Sequence, residues 1–275
     1  MEKPTISVII STYNAEKWLE KTLWGYHAQT RKNFEVVIAD DGSKRPTFDL
    51  LEKLKPELHF PIIHVWHEDN GFQKSQILNK ALLKCTADYI LMSDGDCIPR
   101  KDFISSHLYF RERGYFLSGG YFKLPMEISK KISKENILSQ DCFELDWLKK
   151  KGLKSSFKNK KLTARGMERS LLNLFTPTTA SWNGHNASGW KKDILAINGF
   201  DERMQYGGQD RELGERLFNF GIRSKQIRYS AVCLHLDHPR GYKTQSSIDK
   251  NLKIRSETKN NKKTWTDFGL EKEKN

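Results

Sequence analysis

Three times before residue 100, a short apolar run ends abruptly in an acidic loop. Phe34-Glu35-Val36-Val37-Ile38-Ala39 runs into Asp40-Asp41-Gly42-Ser43, and Ile62-Ile63-His64-Val65-Trp66 into His67-Glu68-Asp69-Asn70-Gly71. Tyr89-Ile90-Leu91-Met92-Ser93 then runs into Asp94-Gly95-Asp96. Runs of this length read as buried strands. Thr5-Ile6-Ser7-Val8-Ile9-Ile10 is an earlier one, β-branched like a central strand, and Ser11-Thr12-Tyr13-Asn14 closes it. Helical periodicity fills the gaps. Ala15, Trp18, Leu19, Thr22, Leu23 and Tyr26 share one face behind Asn14, a residue suited to cap that helix. A weaker helix is predicted over 48–54, and a third over 74–84 gathers Ile77, Leu78, Ala81 and Leu82. Strand, helix, strand in this order predicts an α/β fold: a mostly parallel, twisted central sheet flanked by helices. Ligands bind such sheets beyond the carboxyl ends of the strands, so the acidic loops are expected to share one edge.

The chemistry-bearing residues follow from that placement. Asp94 and Asp96 either hold a divalent cation or form an ordinary Asp-Gly turn, with Gly95 allowing the backbone to bend between them. Downstream, Leu213, Leu217 and Phe220 mark a short helix that Gly221 terminates, and Asp210 falls at its first turn. The helix dipole favours an ionised carboxylate there by about 0.3–1 kcal/mol. An ionised carboxylate suits a general base, although a plain N-cap explains the residue equally well. His235 and His238 lie three apart after a strand-like start, as metal ligands or as structural histidines; His64, His67, His107 and His185 lack such company. Trp182-Asn183-Gly184-His185-Asn186-Ala187-Ser188 has the polar, aromatic texture of a carbohydrate-contacting loop.

Composition narrows the partners. The 275 residues carry 47 Lys+Arg against 34 Asp+Glu, a net charge of +13 that favours anionic partners. The excess gathers in residues 123–175, where lysine clusters alternate with Ile128, Ile132, Ile137, Phe143 and Leu148. That texture predicts a basic amphipathic helix or helical pair, either a solvated face or a site for an anionic membrane surface or acceptor. The tail from about residue 248 reads as helical and partly loose. Cys85, Cys97, Cys142 and Cys233 are dispersed, which argues against a disulfide framework or a thiolate metal site. With no leader sequence and no apolar stretch near the roughly 18 residues of a membrane span, a cytoplasmic chain with peripheral membrane contact is expected. The sequence carries no recognised nucleic-acid motif, so no nucleic-acid partner is expected.

Taken in order, Val8-Ile9-Ile10-Ser11-Thr12-Tyr13-Asn14, Asp40-Asp41-Gly42-Ser43, Asp94-Gly95-Asp96, Asn198-Gly199-Phe200-Asp201-Glu202 and Gly207-Gly208-Gln209-Asp210 resemble the motifs of inverting family 2 glycosyltransferases of the GT-A fold. The second half is similar to the β-1,4-galactosyltransferase group and to bacterial chondroitin polymerases. The resemblance implies a Rossmann-like nucleotide-sugar-binding half over 1–122 and the basic helical insertion over 123–175. It also implies an acceptor-binding, catalytic half over 176–247 and a basic tail over 248–275. By position, Ser11, Tyr13, Asp41 and Asp94 would bind the UDP-sugar, with Asp41 accepting the uracil N–H. Asp96 with His235 or His238 would hold a divalent metal, Mn²⁺ in preference to Mg²⁺. Asp210 would be the base, and Trp182, His185, Asn186 and Gln209 would lie near the donor sugar or acceptor. Two departures stand out: Gln209 replaces a common glutamate, and Leu78 stands where an arginine is usual, leaving Lys74 to supply positive charge to the pyrophosphate. The implied partners are a UDP-sugar and a carbohydrate or lipid-linked glycan acceptor, as in lipopolysaccharide or capsule assembly. A sugar nucleotidyltransferase is the alternative enzyme, but the first loop lacks the glycine it would need; a non-enzymatic polyanion binder is the other alternative.

Overall fold

The computed structural model describes residues 2–238 and 244–272; Met1, residues 239–243 of the acceptor half and residues 273–275 of the tail lie outside that range. The strands are β1 (Ser7–Thr12), β2 (Glu35–Asp40), β3 (Ile62–Trp66), β4 (Tyr89–Asp94), β5 (Cys97–Pro99), β6 (Tyr115–Ser118), β7 (Gly120–Lys123), β8 (Ala187–Trp190), β9 (Arg223–Gln226) and β10 (Val232–His235). A large sheet runs β3-β2-β1-β4-β8-β6-β9, and a small one β5-β10-β7. The first four strands of the large sheet are mutually parallel, whereas β8 pairs antiparallel with both β4 and β6.

The continuous apolar runs exist because both faces of this sheet are covered. Val8, Ile10, Val36, Ile38 and Leu91 point into one core with Leu19 and Leu23 of helix Glu16–His27. Ile9, Val37, Ala39, Ile90 and Met92 point into a second core with Ile77, Leu78, Ala81 and Leu82 of helix Lys74–Lys84. Alternate residues therefore serve opposite faces, the period of a strand. Because β6 and β8 pair, residues from the two expected halves share one sheet.

Three local expectations are corrected. Asn14 does not cap the first helix: its backbone is left-handed, and its Oδ1 accepts from Lys44 N (2.9 Å), tying the β1 loop to the β2 loop. The chain does turn at Gly95-Asp96 as expected, and a Cβ on Gly95 would crowd Ser11 O at 3.1 Å. The basic segment is neither one helix nor a pair. It folds as short helices, including Met126–Lys131, Lys134–Ser139, Leu145–Lys150, Lys160–Thr163 and Gly166–Leu174, and Ile128, Ile132, Ile137, Phe143 and Leu148 are drawn into the first core. The described tail is docked: helix Gln245–Asn260 packs on helix Gln209–Asn219 with Asn251 fully buried. Among the described residues no helix is long and apolar enough to cross a membrane.

Candidate active site

A cleft of about 910 Å³ opens at the carboxyl ends of β1, β2 and β4, within the range of small-ligand sites. All the candidate residues line it except Trp182 and Asn186. Those two are corrected to structural roles. Trp182 is wholly buried against Phe116 in the second core, with its ring where any Cβ on Gly189 would have to sit. Asn186 is equally buried and spends its amide on Gly120 O (2.8 Å), Ala231 O (2.9 Å) and His107 Nε2 (2.9 Å).

On the β1–β4 side, Asp94 Oδ1 accepts from Ser11 Oγ (2.7 Å) and from Lys74 Nζ (2.7 Å). Burial alone would raise the Asp94 carboxyl, but the Lys74 ammonium holds it well below the usual carboxylate range. Burial likewise disfavours the Lys74 charge, and Asp94 with Asp210 outweighs that and keeps the side chain protonated. Leu78, at the position where an arginine is usual, is buried in the second core, so Lys74 is the cation this helix delivers to the cleft. Asp41 accepts from His67 Nε2 (2.8 Å, as the protonated tautomer) and from Gln73 N (3.0 Å). Its carboxyl is nevertheless raised, burial outweighing those donors. Tyr13 stands half-exposed at the rim with its hydroxyl donating to Asp69 (2.8 Å).

Across from these, Asp96 meets both histidines of the β10 end. Its Oδ2 lies 2.8 Å from His238 Nε2 and 3.8 Å from His235 Nε2. His235 Nδ1 is 2.8 Å from Leu236 O, which only an N–H at Nδ1 satisfies, so in the neutral imidazole Nε2 is the nitrogen open to a ligand role. Asp96 thus has an imidazole nitrogen near its carboxylate oxygen on each of two approaches, and oxygen with imidazole nitrogen is a donor chemistry that fits a divalent transition ion. Cys97 Sγ also falls within 4.8 Å of the Asp96 and His235 donor atoms. Burial pushes its thiol far above the ordinary value, and its Sγ–H donates to Asp96 Oδ1 (3.4 Å).

Asp210 occupies the first turn of helix Gln209–Asn219, entered through two left-handed glycines, Gly207 (φ 112°) and Gly208 (φ 91°), that a side chain would strain. Gln209 is buried, and its Oε1 accepts from Gly207 N (3.1 Å), bracing the turn. The dipole expected to favour an ionised Asp210 does not decide its state. Burial raises the carboxyl above its ordinary value, against the pull of Lys74. Its Oδ1 is buried and accepts no hydrogen bond among the described residues. His185, which also lines the cleft, is pushed down to about 4 by burial and is neutral at physiological pH.

Sequence reasoning missed three contributors. Gly184 lies so close that a Cβ would sit 2.8 Å from both Asp210 carboxylate oxygens. Tyr121 lines the cleft with its ring against His185 (4.7 Å between centroids) and His235 (5.3 Å). Asn251 Nδ2 donates to Gln205 O and Gly207 O, both 2.9 Å, and so steadies the loop that carries Asp210. The Gly119-Gly120 pair before Tyr121 was a faint signal. The other two depend on packing that no spacing encodes.

The profile of glycosyl transferase family 2 matches residues 7–165. Among curated relatives, an uncharacterized glycosyltransferase of Bacillus subtilis is 26% identical, aligned over 93% of this chain and 70% of its own length. The chondroitin synthase of Escherichia coli is 24% identical over 90% of this chain, which spans only 37% of that protein. Among solved structures, the mannosyltransferase of Pyrobaculum calidifontis in complex with GDP-Man and Mn²⁺ superposes with a TM-score of 0.58 at 18% identity, covering 88% of this chain and 59% of that one. Residues 1–349 of TarS from S. aureus in complex with UDP-GlcNAc give 0.57 at 16% identity, covering 86% and 60%.

Proposed function

The chain belongs to glycosyl transferase family 2 and has the GT-A fold, and on that premise we propose that it moves a hexose or N-acetylhexosamine from a UDP-sugar to a glycan in one inverting displacement. Family membership makes it a transferase and displaces the non-enzymatic alternative. The convergence of Asp94, Asp96, Lys74, His235, His238 and Asp210 on one cleft carries the proposal. The UDP-GlcNAc complex of TarS supports the donor, and the Mn²⁺ complex of the mannosyltransferase supports a metal.

In this reading Tyr13 covers the uracil from the rim, and Ser11 with Asp94 takes the ribose. Asp41 accepts the uracil N–H; each carboxylate oxygen keeps a second acceptor site beyond its bonds to His67 and Gln73. Lys74 faces the diphosphate with a charge that Asp94 and Asp210 keep in place. Asp96, His235 and His238 would hold a divalent cation, Mn²⁺ in preference to Mg²⁺ because of the imidazoles. Bound there, the cation supplies Lewis-acid stabilisation of the diphosphate leaving group. Asp210 takes the proton of the acceptor hydroxyl as its oxygen bonds to the anomeric carbon, while the carbon–oxygen bond to the β-phosphate breaks and UDP leaves. A carboxyl raised by burial is a stronger base than an exposed one, which suits the task. Tyr121, neutral His185 and Gln209 flank the space for the two sugars. The acceptor is a surface polysaccharide or a lipid-linked precursor, met by a cytoplasmic enzyme at the membrane's inner face.

A screen of UDP-, GDP- and TDP-sugars for slow Mn²⁺-dependent hydrolysis tests the donor, with a UDP-sugar expected to turn over. Preference for a GDP-sugar would sink the role given to Asp41, and pyrophosphate release from UTP and a sugar phosphate would indicate a nucleotidyltransferase. For Asp96→Ala, UDP affinity in Mn²⁺ is expected to fall about 10–100-fold, and titration calorimetry reads it. Equal affinity with and without Mn²⁺ in the parent protein would refute the metal set. Gly184→Ala forces the Asp210 carboxylate to move, so kcat should drop about 100-fold with UDP binding retained. Undiminished turnover in that variant would place the base elsewhere.

A further inference from the structure

The exposed apolar side chains of helix Gly166–Leu174 and Phe175 form a face that the described chain leaves uncovered. Helix Gly166–Leu174 buries none of its residues. Met167 (84% exposed), Leu171 (53%), Leu174 (74%) and Phe175 (74%) recur at the spacing of one helical side, and Phe157 nearby in sequence is 73% exposed. The helix is nonetheless fixed to the body. Asn173 Nδ2 donates to Ser230 Oγ (2.8 Å), Asn173 Oδ1 accepts from Tyr229 N (2.9 Å), and Lys160 pairs with Glu168 (2.5 Å).

The charge around this face selects its occupant. Residues 149–169 hold nine lysines and arginines against one acid, Glu168. A protein interface of this size is normally poor in lysine. A nucleic-acid surface has no use for four aligned aliphatic and aromatic side chains. An anionic bilayer takes both: apolar groups enter the headgroup–acyl boundary while lysine and arginine heads remain among the lipid phosphates. We propose that helix Gly166–Leu174, with Phe175, docks the enzyme onto an anionic lipid bilayer.

Lys161 ties this segment to the cleft. Lys161 Nζ donates to Tyr121 O (2.8 Å) and sits 5.4 Å above the Tyr121 ring, which lines the cleft beside His185 and His235. Seating the helix in the headgroups would bring that end of the cleft to the bilayer surface. This last point rests on the lipid-linked acceptor reading above; the docking itself does not.

Sedimentation of the full chain with vesicles of phosphatidylcholine, with and without phosphatidylglycerol, tests it. Binding is expected only with phosphatidylglycerol. The double variant Leu171→Ser with Phe175→Ser should weaken it about 10- to 100-fold, since two apolar side chains no longer insert. Both positions are exposed and outside the cleft, so hydrolysis of a UDP-sugar in vesicle-free solution should be unchanged and reports that the variant is folded. Absence of binding, equal binding to both vesicle types, or undiminished binding by the variant would each overturn the proposal. So would concentration-dependent self-association that the variant abolishes, because a second copy would then cover the face. Vesicle binding by a parent protein that hydrolyses no nucleotide sugar would uphold the docking surface and sink the UDP-sugar reading.

Discussion

Asp210→Asn is expected to slow sugar transfer by about 10²–10⁴-fold, the usual contribution of a positioned general base, while UDP affinity stays near that of the parent. The change is nearly isosteric, so the Gly207-Gly208 turn and the Gln209 brace remain. Lys74 loses one of its three acidic neighbours but keeps Asp96 and its 2.7 Å bond to Asp94, and the donor side of the cleft is preserved. What disappears is the acceptor for the hydroxyl proton. The pH profile gives an independent reading. Burial raises the Asp210 carboxyl, so the ionised base is present above that raised value and is lost as pH falls through it. The parent should therefore show an acid limb in kcat lying above the ordinary aspartate range, and the asparagine variant should lack it. Retained turnover, or the same acid limb in both proteins, would remove Asp210 from the role.

The parts of this site legible in the sequence are those fixed by local periodicity. β1, β2, β3 and β4 and helix Lys74–Lys84 could be read because a sheet covered on both faces writes unbroken apolar runs, and a parallel sheet sends its loops to one edge. Asp41, Asp94 and Asp96 followed from that edge. The histidine pair was read from its spacing and Asp210 from its place at a helix start, and the fold closes them onto the same cleft. What could not be read was decided by contacts distant in sequence. Asn186 looks like a sugar ligand until β7, β10 and His107 consume its hydrogen bonds. Trp182 looks like a stacking platform until the second core encloses it. Asp210 illustrates the competition of effects: the dipole is a local property and visible from sequence, but desolvation comes from the assembled walls of the cleft and runs the other way. The tail read as partly loose because its composition is polar, yet Asn251 and Ser247 use that polarity to hold the backbone at Tyr206 and Gly207.

The same logic of long-range polar contacts marks the position where stability is most exposed. Arg216→Ala is expected to destabilise the protein by about 3–5 kcal/mol, read as a lower urea midpoint at unchanged slope. Arg216 is wholly buried; it grips Glu212 through Nε (2.8 Å) and Nη2 (2.7 Å) and donates to Ile197 O (2.5 Å) and Gly199 O (2.7 Å). Truncation would strand the buried Glu212 carboxylate, left with Thr258 Oγ1 (3.0 Å), and would orphan two carbonyls beside the left-handed Asn198 and Gly199. That turn leads into Phe200, whose backbone N–H and C=O both bind Asn79 of helix Lys74–Lys84, the helix that carries Lys74. Damage at Arg216 should therefore reach the cleft as well as the midpoint. The cost arises from an uncompensated buried charge, so Glu212→Met combined with Arg216→Met should recover most of the lost stability, whereas Arg216→Met alone should not. A single Arg216→Ala variant within about 1 kcal/mol of the parent would show that water reaches Glu212 and that the pair does not anchor this turn.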